Sequence, residues 1–289
     1  MQKTGYYRKS GELFLQNLSL KKLVDRYQTP TFVYDSNLIK NSFYMLKKIM
    51  DPLNGKIHFA VKSNDNLGVI KYINSLGAGA DVVSIGELKR CLKVSVKPKD
   101  IIFSGVGKQK DEIEFAINKN IKQLNAESIE ELKDIIEISK NIKKKVNVAL
   151  RVNLDINAKT HKKISTGDEN SKFGIIYDDI VHAYKLINDA SFINPYGLAI
   201  HVGSQLFDYD VFFQTFSKIK NLAVELRNLG YEVNHLDLGG GFGVDYTMKN
   251  SLNYKSFSKA LNEVFKNKEF RLSVEPGRSL IAESGILLT

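Results

Sequence analysis

Ile57-His58-Phe59-Ala60-Val61 is a short, mainly apolar run that stops at Lys62, and Ala80-Asp81-Val82-Val83 repeats the pattern one amphipathic stretch later. From Lys56 onward this alternation persists, as in successive βα units laid over a parallel sheet. Eight strands are predicted: Ile57 to Val61, Ala80 to Val83, Ile101 to Phe103, Lys122 to Leu124, Val146 to Val152, Gly197 to Val202, His235 to Leu238 and Phe270 to Val274. Helix candidates fill the intervals, among them Asp111 to Ile117 and Ser128 to Ile136. The second opens with Ser128 three residues ahead of Glu131, the spacing of a capping box. Eight strands in about 220 residues, each but the last followed by a helix, fit an α/β fold of the (β/α)8 TIM-barrel type better than an open doubly wound sheet.

Two flanks fall outside that frame. Thr31-Phe32-Val33-Tyr34 reads as a strand before the first barrel helix, and Leu280 to Thr289 is mostly apolar and strand-like after the eighth unit. The expected organisation is an N-terminal segment at 1–36 carrying a strand of a second β-domain, a barrel at 37–279, and the start of that β-domain at 280–289, its remainder lying beyond Thr289. The longest stretch without a periodic pattern, Leu154 to Gly174, has the length of a functional or disordered loop.

Composition narrows the function classes. At 289 residues with 43% apolar side chains the chain can bury a core without staples. Cys91 is the only cysteine, which excludes an intrachain disulfide and suits a reducing compartment. Its neighbourhood, Gly86 to Leu92, is an amphipathic helix pattern, so a buried inert thiol is expected. No run of about 18 apolar residues occurs, so a cytoplasmic, soluble protein with no membrane partner is expected. The net charge of +10 raises the question of nucleic acid. The lysines, however, are spread thinly over helical segments, and the densest run, Lys143-Lys144-Lys145, joins a helix to a strand; a solvated surface is the reading.

Active sites of such barrels lie at the C-terminal ends of the strands. The strand-end residues here are Lys62, Asp81, Ser104, Glu127, Arg151, His201, Gly239 to Gly241, and Glu275 to Arg278. Lys62 would point into the barrel mouth, partly desolvated, as an amine able to attack an aldehyde. The run Leu238-Gly239-Gly240-Gly241-Phe242-Gly243 follows the seventh strand, where bare backbone N–H groups form either a phosphate cradle or a tight turn. Its spacing does not match G-x-G-x-x-G, and no acidic residue about 20 positions on ends a strand, which disfavours a dinucleotide. Gly277 and Arg278 can complete a phosphate cup with an amide and a guanidinium. Glu275 needs a partner, and a ring nitrogen would serve: at about 4 Å and an effective dielectric near 20 the attraction is ~4 kcal/mol, nearly three pKa units. An amine for an aldehyde, a phosphate cup and a carboxylate for a pyridinium together describe pyridoxal 5′-phosphate. His201 can stack on its face and Ser204 can add a phosphate contact. No metal site is expected.

These segments resemble the fold-type III, alanine-racemase-like enzymes that use pyridoxal phosphate. The matching stretches are Phe59 to Asn64, Gly79 to Leu88, His201 to Gln205, Leu236 to Gly243 and Glu275 to Arg278. The resemblance implies that Lys62 links the cofactor, His201 stacks on its ring and Glu275 pairs with the pyridine nitrogen. It further implies that Gly239, Gly240, Gly241, Gly277 and Arg278 form the phosphate site, that Arg278 also contacts substrate, and that Asp81 and Arg151 belong to the cofactor surroundings. Racemases of this fold generally carry an arginine against the ring nitrogen, so a carboxylate argues for decarboxylation. Ala158 to Gly167, with Lys172-Phe173-Gly174, looks like the branch that acts on diaminopimelate rather than on ornithine or arginine. By resemblance, then, the reaction is decarboxylation of meso-2,6-diaminopimelate to L-lysine, in a homodimer with shared active sites.

In that family the partner subunit's second domain supplies an acid-donating cysteine, a glutamate, and tyrosine and arginine substrate ligands. The present sequence contains none of them, so part of the active site is expected to be lacking. The rival readings are a non-catalytic carrier barrel for the same cofactor, a related decarboxylase acting on carboxynorspermidine, ornithine or arginine, and a phosphosugar aldolase using Lys62.

Overall fold

The computed structural model describes residues 5–156, 173–247 and 253–289. Eight of its strands close into a parallel ring: Lys56–Ala60, Gly79–Val82, Ile101–Phe103, Gln123–Ala126, Val146–Asn153, Ile193–Ala199, His235–Asp237 and Arg271–Val274. Ser273 and Val274 of the eighth pair with Lys56 and Ile57 of the first, which completes the barrel. The predicted strands fall within a residue or two of these bounds except the sixth, which starts earlier and ends at Ala199. There Asn194 and Pro195 are poor strand formers, and the register slips between Pro195 and Gly197.

The helices lie outside the ring and bury one stripe each against it. Ile129–Ile142 buries Leu132, Ile135 and Ile138, spaced three apart on one face. Ser128 Oγ accepts from the Glu131 N–H at 3.1 Å, as the capping-box spacing predicted. The Glu131 carboxylate takes Lys108 Nζ at 2.6 Å. Cys91 is fully buried in the helix Ile85–Lys93, and burial pushes its thiol up to about 12, which leaves it inert.

The inside of the barrel, by contrast, is lined by polar groups. Asp81, Gln123, Asn125, Asp237, Ser273, His58 and His235 are all buried. Such a core stands only if its groups find partners or ligands.

Outside the ring, Tyr6–Lys9, Glu12–Leu15 and Leu18–Ser19 form an antiparallel meander that the sequence pattern did not announce. Thr31–Tyr34 is a strand as expected, and it pairs antiparallel with Gly285–Leu288 in a separate two-stranded sheet. The strand-like reading of 280–289 needs correction at its start: Arg278–Ile281 is helical and Ala282–Ser284 a 3-10 turn. The eighth strand is thus also followed by helix. Among the described residues no helix is long and apolar enough to cross a membrane.

Candidate active site

The first strand ends in a 3-10 turn, Val61–Ser63, fixed by Ser63 Oγ donating to the Ala60 carbonyl at 2.7 Å. That turn swings Lys62 into the C-terminal mouth of the barrel. The Lys62 side chain is 46% exposed, less desolvated than its apolar strand suggested, and its Nζ lies 4.0 Å from Asp81 Oδ2. Asp81 is fully buried, and neither of its oxygens has a hydrogen-bond partner. Burial pushes its carboxyl up to about 6, against the opposing pull of Lys62 and the nearby Ser104 hydroxyl.

Glu275 enters from the end of the neighbouring eighth strand. Its N–H donates to the Gly239 carbonyl at 2.7 Å, and Ser104 Oγ lies 3.5 Å from its Oε1. Asn125 Nδ2 donates in turn to Ser104 Oγ at 2.9 Å. Burial holds the Glu275 carboxyl well above the usual range, and the carboxylates of Asp237 and Asp81 push it the same way. Asp237 is anchored by the Gly239 N–H at 2.9 Å and Ser273 Oγ at 2.7 Å. Three acidic groups thus crowd a site whose facing cations are Lys62 and Arg151.

Arg151, on the fifth strand, is held by both oxygens of Glu127 at 2.9 Å from Nη1, and its guanidinium lies 4.9 Å from the Phe173 ring centre. Glu127 therefore orients Arg151. His201 follows the sixth strand, and the Gly240 N–H points at its Nδ1 at 3.4 Å. Burial, then Lys62 and Arg151, hold its imidazole well below its usual pKa, so the ring is neutral at pH 7.

Lys62, Ser104, Arg151, His201, Ser204 and Glu275 line one cavity of about 420 Å³. Among its other walls, sequence reasoning did not name Asn125 and Val83 as site residues, whereas Phe173 belongs to the Lys172-Phe173-Gly174 stretch it singled out. Asn125 lies inside a strand, where only the inward phase of the alternation marks it. The remaining candidates sit beside this cavity rather than on its lining. Gly239, Gly240 and Gly241 pack between the sixth and eighth strand ends, where a Cβ on Gly240 would come 2.2 Å from the Glu275 carbonyl oxygen. Gly239 and Gly241 also adopt φ of +67° and +89°. Gly277 is the N-cap of the short helix, and the Arg278 guanidinium lies 5.9 Å from the Tyr246 ring centre. Ala158 to Gly167 and Lys172 lie outside the described residues.

A buried carboxylate and an amine line the same cavity, the two groups that a pyridoxal ring asks for at its nitrogen and its aldehyde. The buried Glu275, which forms no ion pair among the described residues, fits the protonated ring nitrogen, and the volume suits a small aromatic ligand.

The family model for the pyridoxal-binding domain of pyridoxal-dependent decarboxylases matches residues 36–282. The chain is similar to the diaminopimelate decarboxylase of Helicobacter pylori, 37% identical over 93% of this chain and 66% of the relative. It is also similar to that of Neisseria meningitidis, 38% identical over 96% and 67%. Among solved structures, the diaminopimelate decarboxylase of M. jannaschii in complex with L-lysine superposes with a TM-score of 0.91 at 34% identity, covering 98% of this chain and 69% of the other. The chain spans about two thirds of the length of these relatives. By sequence, fold and the residues gathered at the barrel mouth, the chain belongs to the pyridoxal-dependent decarboxylases and contains their pyridoxal-binding domain.

Proposed function

We propose that this barrel serves the decarboxylation of meso-2,6-diaminopimelate to L-lysine and CO2. The observation that carries the reading is the convergence of Lys62 and Glu275 on one cavity, from strands that are adjacent in the ring. The names of the similar enzymes, and the L-lysine bound in the solved relative, support the substrate class.

When bound, pyridoxal phosphate supplies an electron-withdrawing ring that accepts the electron pair left as CO2 departs. The rest is the work of the chain. Lys62 Nζ would hold the cofactor's aldehyde carbon and yield it to the substrate amine. Asp81, 4.0 Å from Nζ, would face that nitrogen and help to orient it. Glu275 would accept the N–H of the ring nitrogen and keep it protonated, the condition that gives the ring its pull. The neutral His201 would lie against the ring face without adding charge. Ser204, Gly239 to Gly241, Gly277 and Arg278 would receive the phosphate, with Arg278 also placed for a substrate carboxylate. Arg151, fixed by Glu127, completes the cofactor surroundings.

In this proposal residues 37–279 form the cofactor barrel, and the strands at 31–34 and 285–288 belong to a second β-rich domain. The working protein is a cytoplasmic homodimer with shared sites, to be seen as a sedimentation coefficient for twice the chain mass. The central test uses two variants. Lys62→Ala should lose the visible absorption band of the bound cofactor together with decarboxylation. Glu275→Gln should retain bound cofactor while kcat falls by about 10²-fold or more. An unchanged kcat in Glu275→Gln would overturn the reading. Parallel assays on diaminopimelate, ornithine and arginine check the substrate.

A further inference from the structure

A second cavity, of about 540 Å³, opens at the opposite, N-terminal end of the barrel. Its lining comes from the starts of the strands: Lys56 on the first, Lys122 just ahead of the fourth, His235 and Arg271 on the seventh and eighth. Lys97 adds a fourth cation, and Asp100 is the only carboxylate among the lining residues. Among the described residues no carboxylate forms an ion pair with Lys56, Lys97, Lys122 or Arg271.

Two imidazoles form part of the wall. His58 and His235 are each 3% exposed. Lys122 Nζ lies 2.9 Å from His58 Nε2, which, facing a cationic donor, must accept; His58 Nδ1 then carries its hydrogen. That nitrogen and both ring nitrogens of His235 have no hydrogen-bond partner. Buried polar groups normally have partners, and these imidazole nitrogens belong to the lining of a cavity where four cations meet a single carboxylate, Asp100. The backbone is shaped to hold these rings: a Cβ on Gly79 would come 2.5 Å from His58 Cδ2. Tyr196 covers His235 with ring centres 4.9 Å apart. Burial depresses Lys122 to about 8, a cost that a bound anion would relieve.

We infer that this N-terminal cavity is a binding site for the phosphate group of a small molecule, separate from the cofactor mouth. Arg271 presents the planar fork suited to phosphate oxygens, while Lys56, Lys97 and Lys122 supply charge around it. The cavity is many times the roughly 30 Å³ that one water occupies in the liquid, which leaves room for the body of a phosphate ester behind the phosphate.

The test is isothermal titration calorimetry on the protein preloaded with pyridoxal phosphate, at fixed ionic strength, with inorganic phosphate and with ribose 5-phosphate as probes. One saturable site per chain is expected. Affinity should fall about tenfold in each of Arg271→Gln and Lys97→Gln, both rim positions whose substitution leaves the buried wall intact. Lys140→Gln, at an exposed position of the helix Ile129–Ile142 and in neither cavity, should leave it unchanged, and the visible band of the bound cofactor, followed in parallel, tells loss of the cofactor site from loss of this one. Tighter binding of the ester assigns the ligand to phosphate esters, and equal binding assigns it to free phosphate. Absence of saturable binding of both probes, or binding insensitive to Arg271→Gln and Lys97→Gln, would overturn the inference.

Discussion

Asp81 shows how a single buried residue can weaken a fold at neutral pH. Its carboxyl dissociates near 6 in the fold, against about 3.9 in an unfolded chain. The folded state therefore binds the extra proton between those values. Stability linked to this group is full below pH ~4 and is lost as the pH rises through about 6, by roughly 2–3 kcal/mol. Asp81→Asn should abolish that pH-dependent loss and raise stability at pH 7 by about 1–2 kcal/mol, while weakening cofactor binding through the lost charge beside Lys62. Urea denaturation at pH 4 and pH 7 reads the first effect and cofactor titration the second; an unaltered pH slope would show that Asp81 titrates normally. Lys62, His201 and Glu275 were legible in sequence because each closes a strand at the end where barrels do their chemistry. Asp237 was not read as a site residue. It is the last residue of the seventh strand, just ahead of the glycine run, and its weight comes from crowding Glu275, a proximity that exists only once the ring has closed.

The glycine run is a structural element as well as a set of proposed phosphate ligands. Gly239, Gly240 and Gly241 let the loop after the seventh strand pass between the Ile200, Glu275 and Gly203 carbonyls, with room for no side chain. Sequence left open whether this run cradles phosphate or only turns the chain. The tight packing accounts for the glycines sterically, and their place beside Glu275 makes the same turn part of the site's framework. Gly240→Ala should displace the end of the eighth strand, weaken cofactor affinity at least tenfold and destabilise the fold by about 1–3 kcal/mol. Equilibrium binding followed by absorbance, with thermal denaturation alongside, checks both; wild-type affinity would show that the loop can shift without moving Glu275. At this scale the strand pattern was largely readable. Two segments misled for definite reasons. Leu280 and Ile281 are apolar in helix and strand alike, so local composition does not separate the two. Tyr6 to Ser19 alternates too weakly to reveal its pairing, since most of its residues are exposed or half-buried.

For the whole molecule, the sheet made by Thr31–Tyr34 and Gly285–Leu288 deserves a structural reason, because two strands alone are marginal in water. Phe32 and Leu287 lie opposite each other in register and are 66% and 48% exposed. The proposed second domain would cover them. If it does, hydrogen exchange in the working protein should protect the backbone amides of these strands nearly as well as those of the barrel. Exchange within seconds would mean that the face stands open to water. Sequence alone suggested both strands but not that they pair, because antiparallel partners so far apart along the chain leave no local signature.

Lys62 and Glu275 come from the first and the last strand of a ring that closes only when those two strands meet. During synthesis the lysine emerges early, yet its counterpart leaves the ribosome only after the rest of the barrel. With the roles proposed for these two residues, a nascent chain would bring both to the vitamin only at the end of barrel synthesis. Cellular supply of the vitamin would then favour finished barrels over half-made ones, shielding them from proteolysis in proportion to their occupancy.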